Sequence, residues 1–151
     1  MTLPLHWSAS DHVAWKTPIP GEGWSSPIIW KDRVFLTTAT EGGAGCHVLA
    51  LDRATGQIVW DREVFKQTPG HKQQRNGYAT PTPCTDGERI YTVFGEGSFA
   101  ALDFEGKIVW IHRNFPFYGE HGLKGTTQRS RRTACASLIP AMPVAASLSL
   151  S

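Results

Sequence analysis

The feature that most constrains this chain is an internal repeat, because similarity at a fixed period decides the architecture before any local preference does. Val48-Leu49-Ala50-Leu51-Asp52, a turn through Gly56, and Ile58-Val59-Trp60 are matched by Phe99-Ala100-Ala101-Leu102-Asp103, a turn through Gly106, and Ile108-Val109-Trp110. A second matched pair lies upstream of each. Ser26-Pro27 followed by Asp32-Arg33-Val34-Phe35 answers Thr82-Pro83 followed by Glu88-Arg89-Ile90-Tyr91, with the same spacing from Pro to Arg. Val13-Ala14-Trp15 repeats the closing segment alone, so Trp15, Trp60 and Trp110 recur at intervals of 45 and 50 residues.

Each full copy parses into four short strands separated by turn residues. The first set is read at 26–30, 33–39, 47–52 and 57–63, with turns at Lys31-Asp32, at the Gly-rich Glu41 to Gly45 and at Ala54-Thr55-Gly56. The second set is read at 81–85, 89–94, 98–103 and 107–112. Four antiparallel strands per repeat of this length is the spacing of a β-propeller blade, so the expected fold is all-β. The reading is an incomplete propeller: two blades, one extra closing strand and an unpatterned C-terminal tail. Composition agrees, since six Trp, fifteen Gly and ten Pro in 151 residues suit short strands joined by turns.

The motif Ala-Leu-Asp-x-x-Thr-Gly-x-x-x-Trp, here Ala50 to Trp60, resembles the tryptophan-docking motif of the pyrroloquinoline quinone (PQQ) repeat. Asn76-Gly77-Tyr78-Ala79-Thr80-Pro81-Thr82-Pro83, with Thr85 to Tyr91 and Phe94-Gly95 after it, is similar to PQQ-binding-like propeller proteins of bacteria. The resemblance covers about residues 7–123. It implies a family that includes quinoprotein dehydrogenases as well as a non-enzymatic propeller of outer-membrane barrel assembly. On this basis 7–18 is the outer strand of a preceding blade, 19–65 blade 1, 66–78 an inserted loop, 79–113 blade 2 and 114–123 the start of a third blade. Residues 124–151 have no aromatic residue and no alternating run, and are read as a disordered or frameshifted tail.

Charge narrows the partner classes. Residues 1–123 hold eleven basic against all thirteen acidic residues, and the other four basic residues fall in 124–151. A nucleic-acid protein concentrates its basic residues along one face of its fold, so nucleic acid is not expected as a partner. No run of 18 apolar residues exists, hence no membrane span is expected. The first ten residues show no charged segment followed by an apolar one, so no signal peptide is read, although the resemblance implies a periplasmic or extracytoplasmic setting. Three widely spaced cysteines, Cys46, Cys84 and Cys135, make neither a disulfide framework nor a metal pair.

A quinoprotein enzyme needs an aromatic platform, cations for the quinone carboxylates, a calcium ion held by oxygen ligands and a catalytic base. None of these constellations is legible, so no catalytic, cofactor-binding or metal residue is assigned, and PQQ and calcium are implied by the family name alone. Asp52, Gly56, Trp60, Asp103, Gly106 and Trp110 recur once per repeat and are read as structural. His47, Cys84 and His112 are read as packed or edge residues. Residues that break the repeat are the better binding candidates: His71, Lys72, Arg75, Asn76 and Tyr78 in the inserted loop.

The expected function is a non-catalytic binding or scaffolding module with a protein partner on a propeller face. A fragment of a PQQ-dependent dehydrogenase is the alternative. Because repeats gain stability from their neighbours, the outer faces around Val34, Leu36, Ile58, Ile90 and Val109 are expected to lie open and to drive self-association.

Overall fold

The computed structural model of the chain describes residue 8 and residues 10–69, 77–94 and 97–113. It is all-β: two four-stranded antiparallel sheets, each with its strands in chain order. Sheet 1 comprises β1 (Ile28–Trp30), β2 (Arg33–Thr40), β3 (Gly45–Asp52) and β4 (Ile58–Lys66). Sheet 2 comprises β5 (Cys84–Thr85), β6 (Ile90–Phe94), β7 (Ser98–Leu102) and β8 (Ile108–His112). Both are open sheets, not closed into a barrel. Among the described residues no helix is long and apolar enough to cross a membrane.

Strand limits differ from the sequence reading where local chemistry decides them. β1 begins after Pro27 and β5 after Pro83, because proline has no N–H to give to a ladder. β3 and β4 run longer than expected. The glycine-rich segment folds as a 3-10 turn at Glu41–Gly43, tight enough for Thr40 to pair with Gly45 and for the β3–β4 ladder to reach Lys66. That ladder breaks register between Cys46 and His47 and again between Ala50 and Leu51. Sheet 2 has the matching break between Ala101 and Leu102.

Alternation along β2 sorts its side chains between two faces. Phe35 and Ala39 each enter one of the two clusters shared by the sheets, and the Thr37 hydroxyl donates to the carbonyl of Pro81 at 3.4 Å. Val34 and Leu36 face the other way with Leu49 and Leu51. Between the sheets, Val48, Phe65, Ala79, Phe94, Ala100 and Leu102 are buried together, and Phe65 meets Phe94 edge-on at 5.4 Å. Phe35 and Ile90 close the same interface further along. Apolar surface removed from water on both sides of one seam is what joins two thin sheets into one body.

The open faces expected from the sequence are corrected in two places. Val34 is buried, and Leu36 half-buried, because Trp15 and Ile19 cross the outer face of sheet 1 and cover it. Ile90 is fully buried because it faces Phe35 across the seam, not solvent. Ile58 and Val109 are exposed, the latter at 45%. The extra closing segment, Val13 to Trp15, carries no ladder, since no inner neighbour lies beside it among the described residues. It is held by side chains, and further along by the Thr38 hydroxyl on Pro20 O at 2.7 Å and a bridge between Glu22 and Ala39.

Candidate interaction surface

Two tryptophans grip hairpin turns in the same way. The Trp15 indole N–H donates to the carbonyl of Arg53 at 2.9 Å while its ring lies against Gly56, and the Thr17 hydroxyl donates to Gly56 O at 2.6 Å. The Trp60 indole N–H donates to the carbonyl of Phe104 at 3.0 Å, its ring lies against Gly106, and Arg62 Nε donates to Gly106 O at 2.9 Å. Each grip therefore uses a ring on a glycine and two donors, one from the Trp and one from the residue two positions on. Gly56 and Gly106 have φ of 74° and 82°, a region costly for any side chain, and a Cβ at either would run into the indole.

The aspartate that opens each turn is committed to it. Asp52 accepts the amides of Ala54 and Thr55 at 3.0 and 2.8 Å and the Thr55 hydroxyl at 2.9 Å, with Arg33 at 3.5 Å. The Thr55 amide and hydroxyl, ahead of the other partners, hold its carboxyl below the ordinary carboxylate range. Asp103 accepts the amides of Glu105 and Lys107 at 3.1 and 2.8 Å. Trp110 stands opposite Ala101, as Trp60 stands opposite Ala50, and its ring meets Tyr91 at 6.2 Å.

Other titratable groups are likewise tied into the sheets. Burial pushes the Cys46 thiol up to about 12, which leaves it protonated and unreactive at neutral pH. His47 sits between Asp61, 2.8 Å from Nδ1, and the Thr40 hydroxyl, 3.2 Å from Nε2, with Glu63 at 3.7 Å. Asp86 caps the amides of Glu88 and Arg89 and accepts the Tyr91 hydroxyl at 2.7 Å. Burial alone would raise the Asp86 carboxyl, but these hydrogen bonds outweigh it and lower it, while burial and Asp86 raise the Tyr91 phenol. Among the described residues no group of three or more His, Cys, Asp or Glu could hold a metal ion. PQQ would need a bare aromatic face and calcium would need uncommitted carboxylates. Trp15, Trp60, Asp52 and Asp103 do not fit either group, because turns already occupy them.

Of the loop candidates, His71, Lys72, Arg75 and Asn76 lie outside the described residues. Tyr78 is half-buried, packed on the inter-sheet core with its ring against Gly43. Beside it is a residue that sequence reasoning passed over: Trp24, 67% exposed, with its ring against Gly77 and its amide donating to Ala79 O at 3.0 Å. A tryptophan without a counterpart in the second repeat, where Thr80 stands at the matching distance before Pro83, was the available signal. Trp24 and Tyr78 thus flank the entry into the second repeat, next in sequence to the loop candidates.

The crystal structure of BamB from Moraxella catarrhalis matches with a TM-score of 0.46 and 22% sequence identity, covering 66% of this chain and 26% of that one. The chain therefore spans 26% of the length of that solved structure. No curated protein matches it. Residues 5–114 match the PQQ-repeat family described as outer membrane protein assembly factor BamB, and the chain belongs to that family of PQQ-like β-propeller proteins.

Proposed function

We propose that the chain is a non-catalytic binding or scaffolding module that engages a protein partner beside the entry into its second repeat. The observation that carries this reading is Trp24, a large aromatic side chain left 67% exposed in a chain whose Trp15 and Trp60 are spent on turns. A rigid aromatic with a polar N–H supplies much contact area at little entropic cost, which is why tryptophan is enriched among the residues that dominate interfaces. The partner class that suits the family description is a component of an outer-membrane protein assembly system. Arg75, Asn76 and Tyr78 are the further contacts in this reading, with His71 and Lys72 beside them.

The test is partner capture by the full-length protein. Trp24→Ala and Arg75→Ala together should weaken capture at least tenfold, about 1.4 kcal/mol or more, with the melting temperature unchanged. Capture that survives both substitutions would remove this surface from consideration. Saturable quenching of tryptophan fluorescence by PQQ with calcium would instead favour the dehydrogenase reading.

A further inference from the structure

We draw no further inference here: the strongest candidate, the apolar rim that Ile58 and Val59 on the edge strand β4 and Val109 and Ile111 on the edge strand β8 expose along the outer edges of the two sheets, carries nothing, because nothing in the structure shows what covers it.

Discussion

The two tryptophan docks grip their turns alike but differ in what stands behind the tryptophan. Trp60 sits in β4, is laddered to Ala50, and its ring lies 6.0 Å from Phe35, which in turn meets Phe104 at 5.8 Å. Trp15 has the same indole bond and a glycine in the same place, yet its segment pairs with no strand among the described residues. The grip therefore does not depend on a β ladder behind it. What the ladder and the aromatic stack add is coupling: disturbing Trp60 disturbs both sheets, whereas disturbing Trp15 disturbs one face of one sheet.

That difference predicts the largest effect. Trp60→Ala should cost about 3–5 kcal/mol, because it empties space in a packed seam and strips the Phe104 carbonyl of its donor. Trp15→Ala should cost about 1–2 kcal/mol, the loss of partial apolar cover and one hydrogen bond. Denaturant melts at a concentration too dilute for association would read both. Equal losses would mean that the seam adds nothing to the dock.

The glycines come next. Gly106→Ala puts a Cβ 2.9 Å from the Trp60 ring at a φ of 82°, so it should cost about 2–4 kcal/mol from backbone strain and overpacking. Gly56→Ala has the same backbone cost but meets a tryptophan on a segment without a ladder, which can move away. It should lose about 1–2 kcal/mol of strain, plus the part of the Trp15 dock that the displaced ring gives up, with no packed seam disturbed behind it. If Gly56→Ala proves the worse of the two, the Trp15 segment is as firmly held as β4.

How far the sequence anticipates this comparison depends on whether a role is carried by residue type or by geometry. The repeated Leu-Asp, Gly and Trp locate both outer hairpins, because a hairpin turn and its flanking strands leave a local signature. The donors two positions after each tryptophan leave none. Thr17 and Arg62 have unlike chemistry, and only the approach of the two chains reveals that a hydroxyl and a guanidinium serve one carbonyl position. Burial is not legible for a related reason. Alternation tells which residues share a face, as for Val34 and Ile90, but not what covers that face, and here Trp15 and Phe35 do. Trp24 has no place in the repeat, since Thr80 stands at the matching position, so periodicity carries no information about it.

Those two donors give a smaller test of the comparison. Arg62→Met keeps the aliphatic stem but removes the 2.9 Å bond to Gly106 O, and should cost about 1 kcal/mol. Thr17→Val removes the 2.6 Å bond to Gly56 O at nearly constant shape and should cost a similar or smaller amount. Each loss should vanish when the tryptophan of the same dock is already alanine, since the second donor works only while the first holds the turn in place. A double-mutant cycle measures that coupling, and additive losses would make the two donors independent contacts.

The smallest expected effect is set by acid and touches one dock through its turn. The folded carboxyl of Asp52 lies below its ordinary value of 3.8, mainly through the Thr55 amide and hydroxyl. A group depressed in this way stabilises the fold above its unfolded pKa, and the contribution disappears as pH falls through the folded value. The contribution is therefore intact at pH 7 and begins to fade only as pH drops to about 4 and below. Asp52 is half-exposed, so water screens the effect and the expected change in melting temperature is small. Asp52→Asn keeps acceptor geometry for the turn amides without the charge, and should flatten the acid limb of a plot of melting temperature against pH without shifting the neutral plateau by much. Because the Asp52 turn is the one held by Trp15, the same flattening should appear whether or not Trp60 is intact. An acid limb that responds to Asp52→Asn only when Trp60 is present would mean that the two docks are linked through sheet 1, and that the difference between them is one of degree.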